Sequence, residues 1–201
     1  DYSDVEIQEI LESRNLTYRH ADNPSHEAAC LLAQGKIVAW FQGRMESGPR
    51  ALGNRSILMS ANDPANKDII NAKVKFREAF RPFCPSLLEE HREAYLVNSR
   101  PEEFMITSFD VIATKKDRIP AVVHVDGTAR PQTVQREANP KYWSLINHFG
   151  DLTGEYLVLN TSFNIRGEPI INTPGQAIRC FFDSGIDVLV LGSFVLEKNS
   201  T

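Results

Sequence analysis

The chain has no uninterrupted apolar run near the roughly 18 residues that a membrane-crossing helix needs. The apolar-rich stretches at 121–125 and 186–191, interrupted by His124 and Asp187, have the length of strands. The opening residues Asp1-Tyr2-Ser3-Asp4 carry neither an initiator Met nor the basic-then-apolar pattern of a secretory leader. They are read as the start of a cytoplasmic fragment of a longer protein. A basic excess is also missing: 22 Lys and Arg face 26 Asp and Glu, a net charge of −4, which disfavours a general nucleic-acid binder. The three cysteines, Cys30, Cys84 and Cys180, are far apart and odd in number. With no C-x-x-C pair they are expected as buried free thiols of a reducing compartment, not as a metal site or a disulfide framework. His20, His26, His91, His124 and His148 are scattered without ligand spacing, so no metal site is expected here. Neither G-x-x-x-x-G-K-[ST] nor G-x-S-x-G occurs.

What remains is an ordinary globular composition, with 42% hydrophobic and 24% charged residues and no repeat or linker. One domain over 1–201 is expected: α/β (α+β), with a twisted mixed central sheet flanked by helices. Ser3 and Glu6 form a capping box for a helix to about Arg14, and Thr173 and Gln176 another for a helix to about Ser184. Further helices are predicted over 25–34, from Asn62-Asp63-Pro64 to about Lys73, and over 140–149. Strands are predicted over 36–41, 57–59, 86–88, 104–114, 121–125, 156–160, 187–191 and 194–196, with a turn at Asp126-Gly127.

The charge is unevenly placed. Between Arg44 and Arg81 eight basic residues face four acidic ones, a local excess that would concentrate an anionic ligand. Its first half, Gly43-Arg-Met-Glu-Ser-Gly-Pro-Arg-Ala-Leu-Gly-Asn-Arg-Ser56, mixes three glycines with Arg44, Arg50 and Arg55. Glycines let backbone N–H groups approach a ligand, and guanidinium forks match phosphate oxygens, so this stretch reads as an anion site. The competing reading is a structural loop with Arg–Glu pairs. In the second half, Lys75, Arg77 and Arg81 alternate with Phe76, Phe80 and Phe83. The phenylalanines are read as core and the cations as functional, although basic residues interleaved with aromatics could also stack a base. In His124-Val-Asp-Gly-Thr-Ala-Arg130 the histidine reads as structural, Asp126 as a turn residue and Arg130 as the functional candidate. In Leu159-Asn-Thr-Ser-Phe-Asn164 a buried strand runs into amides and hydroxyls, where α/β proteins place ligand contacts. Ser162 reads as a hydrogen-bonding group, since no adjacent base marks it as a nucleophile.

These four stretches, in this order and with Gly167-Glu-Pro169, resemble the C-terminal domain of the nodulation and antibiotic-tailoring O-carbamoyltransferases, the tobramycin enzyme among them. The likeness runs from about Tyr2 to Lys198; the visible departure is Ser47, where an aromatic residue usually precedes Gly-Pro-Arg. The resemblance implies a YrdC-like fold that binds ATP with Mg²⁺ and carbamoyl phosphate as small-molecule substrates and forms carbamoyl-adenylate for biosynthetic carbamoyl transfer. It implies a partner, an N-terminal actin-like domain of the same polypeptide, which carries an iron-type metal and the acceptor site. No nucleic acid or membrane partner is implied. Family ligand contacts fall on Arg50, Lys75, Arg81, Arg130, Asn160 and Ser162, with Arg44, Arg55 and Arg77 beside them, and Lys75, Arg81 and Arg130 nearest the chemistry. On this reading Lys75 and Arg81 hold the carbamoyl donor or carbamate, and Arg50 and Arg130 hold phosphates. Asn160 and Ser162 orient the carbamoyl group or the α-phosphate. Two alternatives stay open: a threonylcarbamoyl-adenylate synthase of tRNA modification, and a non-catalytic nucleotide-binding module.

Overall fold

A computed structural model describes residues 1–78 and 80–198. In chain order it forms α1 (Asp4–Ser13), β1 (Arg19–His20), α2 (Pro24–Ala33), β2 (Val38–Phe41), β3 (Arg55–Met59), α3 (Ala65–Ile70) and β4 (Cys84–Leu88). There follow α4 (Arg92–Tyr95), β5 (Phe109–Asp110), α5 (Ala113–Lys116), β6 (Thr128–Ala129), β7 (Gln132–Val134) and α6 (Pro140–Thr153). The chain closes with β8 (Leu157–Ser162), α7 (Pro174–Phe182), β9 (Val188–Leu191) and β10 (Phe194–Glu197). Eight strands make one mixed sheet in the order β1-β10-β9-β2-β3-β8-β4-β7, parallel only at β2/β9 and β4/β7.

Strand alternation sends one set of side chains to each face. Ile57, Leu157, Leu159 and Leu189 pack beneath α1 and α7, which supply Ile7, Leu11, Ala177 and Phe181. Trp40, Leu58, Val158 and Val190 pack beneath α2 and α6, which supply Leu32, Tyr142, Leu145 and Phe149. Both predicted capping boxes form, at Ser3/Glu6 and Thr173/Gln176, each satisfying orphan N–H groups of a first turn. Asn139 caps α6, which runs past the predicted end at 149 to Gly154, a left-handed residue.

Two strand predictions fail. Over 104–114 only Phe109–Asp110 is a strand, and Ala113–Lys116 is a helical turn. The apolar residues that gave the segment its strand pattern, Phe104 and Ile106, are more than half exposed, and Met105 between them has φ 56°, off the extended path. The Glu102 carboxylate accepts from the N–H groups of Phe104, Ile106 and Thr107, so a side chain takes the bonds a ladder would need. The 121–125 segment opens instead as a 3₁₀ turn, Pro120–Val122, because Pro120 starts it with no N–H to give a ladder. Conversely, Pro85 lies inside β4: pairing with β7 begins one residue later, at Ser86↔Gln132. The strands β1, β6 and β7 went unpredicted, having two, two and three residues. The predicted helix to Lys73 changes character at Ile70 and closes as one π-turn, Asn71–Lys75. All three cysteines are free, Cys84 and Cys180 buried and Cys30 half-buried.

Candidate functional site

The C-terminal end of β8 is the floor of the site. Beyond Ser162 the chain bends, and the buried Lys75 ammonium fills the bend. Its Nζ donates to the carbonyls of Ser162 (2.5 Å) and Asn164 (2.9 Å) and to Asn164 Oδ1 (2.7 Å). Ser162 Oγ also donates to Asn164 Oδ1 (2.8 Å), and Asn164 Nδ2 is anchored on the Glu168 carbonyl (2.7 Å). The π-turn swings Lys75 to this place, and Phe76 follows it in the left-handed region at φ 47°, a conformation costly for a bulky residue. Burial, then repulsion from Arg77, pushes the Lys75 ammonium down to about 7. The surrounding carbonyl oxygens favour its charged form.

The next wall is the loop 43–54. The Glu46 carboxylate organises it, accepting through Oε1 from the N–H groups of Leu52 (2.7 Å), Asn54 (2.8 Å) and Arg55 (3.2 Å). Sheet side chains hold the same loop from below: Asn160 Nδ2 donates to the Ala51 carbonyl (3.0 Å) and Gln132 Nε2 to that of Leu52 (2.9 Å). Ser86 Oγ joins these two, donating to Gln132 Oε1 and accepting from Asn160 Nδ2. Asn160 is therefore both a floor residue and a brace, and its Oδ1 is buried without a partner.

Three adjoining compartments form one cleft. The distal one, about 230 Å³, is lined by Lys75, Arg77, Arg81, Ser162, Asn164 and Arg166. The middle one, about 130 Å³, adds Arg50, Cys84, Arg130 and Asn160 and shares Arg77, Thr161 and Ser162 with the first. The third, about 360 Å³, is the apolar end, with Pro49, Leu52, Phe104, Met105 and Ile106, and shares Arg50 and Arg130 with the middle. Six cations and one acid, Glu78, line this cleft among the described residues. Arg77 is steadied by Asn71 Oδ1 (2.7 Å) and lies over the Phe83 ring, and burial pushes its pKa down. Arg130 leans on Cys84 Sγ (3.3 Å).

The structure thus brings together seven of the nine residues singled out from sequence: Arg50, Lys75, Arg77, Arg81, Arg130, Asn160 and Ser162. Two stand elsewhere. Arg55 begins β3 opposite Phe41; its guanidinium is buried 3.5 Å over that ring and spends its donors on the carbonyls of Gln42, Gly43 and Asn54. Burial pushes its pKa down to about 10. It is a structural cation, out of reach of a ligand in this cleft. Arg44 is exposed on the loop and lines none of the three compartments. The expectation that the phenylalanines are core holds for Phe83 alone, since Phe76 and Phe80 are 50% and 75% exposed. His124 bonds Thr128 Oγ1 (3.2 Å) across the turn at Asp126-Gly127, a structural contact, and Asp126 accepts from the Thr128 N–H within that turn. Sequence reasoning passed over Glu46, Gln132 and Arg166 as individual site residues, whereas Asn164 lies in the strand-end stretch it singled out and does line the cleft. Glu46 had a signal, as the lone acid among the three arginines of its loop.

The sequence model described as Carbamoyltransferase C-terminus matches residues 29–198. The nodulation protein NolNO of Sinorhizobium fredii is 44% identical over 199 residues, which is 98% of this chain and 29% of that protein. An uncharacterized protein of Methanocaldococcus jannaschii, MJ1058, is 41% identical over 98% of this chain and 33% of its own length. The chain therefore spans about a third of these relatives. Among solved structures it is similar to full-length HypF in its phosphate- and nucleotide-bound form (TM-score 0.56, 15% identity, 92% of this chain and 22% of that one). It is also similar to Pyrococcus abyssi Sua5 complexed with L-threonine (TM-score 0.57, 17% identity, 84% and 46%). Both carry the YrdC-like fold, and the mixed sheet described above is that fold. A match over most of the chain, close relatives among the nodulation proteins and a shared fold lead to one conclusion: this chain belongs to the carbamoyltransferase C-terminus family.

Proposed function

We propose that the cleft binds ATP and carbamoyl phosphate and forms carbamoyl-adenylate, for transfer to an acceptor hydroxyl by a further domain of a longer polypeptide. The observation that carries this reading is the gradient along the cleft: an apolar end, a middle with Arg50 and Arg130, and a cationic end around Lys75. A nucleotide has that same polarity, from base to phosphates. Full-length HypF, 22% of which this chain matches in fold, has been solved with phosphate and nucleotide bound. An adenylate that keeps the α-phosphorus needs an oxygen nucleophile, which carbamoyl phosphate supplies as carbamate once its phosphoryl group has gone to water. A carbamate oxygen bonds to the α-phosphorus, the α–β bridging bond breaks, and pyrophosphate leaves with its electron pair. Arg50, Arg130 and Lys75 oppose the charge that builds in this step, and Lys75 is already fixed in place by the carbonyls at the end of β8. Among the described residues no group of three or more His, Cys, Asp or Glu could hold a metal. Mg²⁺ would enter with the nucleotide, held chiefly by its phosphate oxygens.

The test is pyrophosphate release with ATP, Mg²⁺ and carbamoyl phosphate, each omitted in turn. Release that needs both substrates supports the reading. Release with threonine and bicarbonate in place of carbamoyl phosphate would favour the synthase alternative instead. No release with ATP still bound would reduce this chain to a binding half. Arg130→Ala should weaken ATP binding about tenfold or more, the loss of a charge-assisted contact. Its melting temperature should stay near that of the parent chain, because Arg130 makes one weak protein contact, to Cys84. Unchanged calorimetric affinity would remove Arg130 from the site.

A further inference from the structure

Arg166 lies on the loop after β8, in the stretch Asn-Ile-Arg-Gly-Glu-Pro169. This loop is rigidly placed: Asn164 Nδ2 holds the Glu168 carbonyl, Ile171 N–H returns to the Phe163 carbonyl, and Glu168 pairs with Arg179 at 2.9 Å. Arg166 donates through one Nη to the Phe76 carbonyl (3.1 Å), the residue in the left-handed region just after Lys75. No carboxylate lies within ion-pair distance of it among the described residues. It lines the distal compartment with Lys75, Arg77 and Arg81.

Two of the other cations here are constrained by protein, and Arg81 is an exposed side chain of the same compartment. Lys75 is occupied by β8 carbonyls, and Arg77 by Asn71 and the Phe83 ring. Arg166 commits one nitrogen to a carbonyl and has the rest of its planar fork to offer, the geometry suited to two oxygens of one phosphate. The distal compartment is also the end away from the apolar pocket: the two share no lining residue. A phosphate bound here is the one farthest from whatever fills the apolar end.

We propose that Arg166 is a phosphate ligand of the distal compartment, clamping a terminal phosphate against Lys75 and Arg81 and thereby favouring a polyphosphate chain over a monophosphate. The inference rests on the reading of the cleft as a nucleotide site. Terminal phosphate chemistry has two sources, the tail of a triphosphate and a separate acyl phosphate, and affinity measurements separate them.

Calorimetric titrations of the 201-residue chain with ATP, AMP and carbamoyl phosphate are compared for the parent, Arg166→Ala and Arg166→Gln. Gln keeps one N–H for the Phe76 carbonyl and removes the charge. Both variants should bind ATP about tenfold more weakly, with AMP affinity unchanged. If the loss falls on carbamoyl phosphate and not on ATP, Arg166 binds the phosphate of the second substrate and the preference for a polyphosphate chain is overturned. If Gln retains full affinity while Ala loses it, Arg166 is a latch on Phe76 and the proposal is overturned. Unchanged affinities in both variants, with the parent binding ATP, also overturn it. A parent chain that binds none of the three removes the nucleotide reading itself.

Discussion

Lys75→Met is expected to lower pyrophosphate release about 10²–10³-fold, the effect of deleting one fixed group that stabilises developing charge. The ammonium is the only cation of the cleft buried to 6% exposure, and it joins the end of β8 to the π-turn. Met keeps the length of the side chain and removes the charge, so circular dichroism should still report a folded chain. A folded variant with release within tenfold of the parent would take Lys75 out of the chemistry. The same residue predicts a pH signature. Burial holds the free ammonium down at about 7, and a bound anion favours the protonated form. Anion affinity of the parent should therefore weaken as pH rises through 7, by up to about tenfold per unit, while the Met variant stays flat over the same range. Stability moves the other way. Between about 7 and the ordinary lysine value of 10.5 the unfolded chain holds the proton that the folded chain has released, so unfolding free energy rises with pH across that window. Below pH 7 both states are charged and the burial penalty is present in full. Denaturant melts of parent and Met variant across pH 6–10 check the sign.

Gly53→Ala should be the most damaging single methyl in the site. Gly53 has φ 102°, and a Cβ there would stand 2.1 Å from Cδ1 of Tyr142. That ring is fully buried in the core between α6 and the sheet and cannot retreat. The backbone is pinned as well: its carbonyl accepts from Trp40 Nε1 (2.9 Å) and its N–H donates to Ser56 Oγ (3.1 Å). Overpacking and a positive φ together cost about 2–5 kcal/mol, or roughly 5–15 °C in melting temperature for a chain of this size. The strain should travel into the loop and move Arg50, so phosphate affinity falls with stability. Gly43→Ala is the control, with φ 51° and open space around its Cβ, and should cost only about 1 kcal/mol. Equal losses at the two positions would mean that backbone conformation, not the Tyr142 contact, sets the effect.

Much of this molecule can be read from its sequence because local signals agree with the fold. Ser3 and Thr173 mark helix starts by their own hydrogen bonds, and the apolar runs at β2, β8 and β9 are buried on both faces. The cationic cleft was legible as a charge island beside a strand end. Pairing decided what was not legible. Arg50 and Arg55 are alike in sequence, five residues apart in one glycine-rich loop. The Phe41↔Arg55 register turns one inward onto an aromatic ring and leaves the other at the cleft. Phe104 and Ile106 carry a strand-like pattern, yet Glu102 gathers their N–H groups and they line the apolar end instead. The loop-forming roles of Glu46 and Glu102 depend on a carboxylate folding back on nearby amides, which no hydrophobic period announces.

The strand order has a consequence during synthesis. β3 pairs on one side with β2, its sequence neighbour, and on the other with β8, whose first residue follows about a hundred residues after Met59. At translation speeds of about 5–20 residues per second, that flank of β3 stays an open edge for roughly 5–20 s. Lys75 waits as long for its partners, which lie 87 and 89 residues downstream. The floor of the cleft is missing in that interval, and it is completed only when β8 pairs with both β3 and β4.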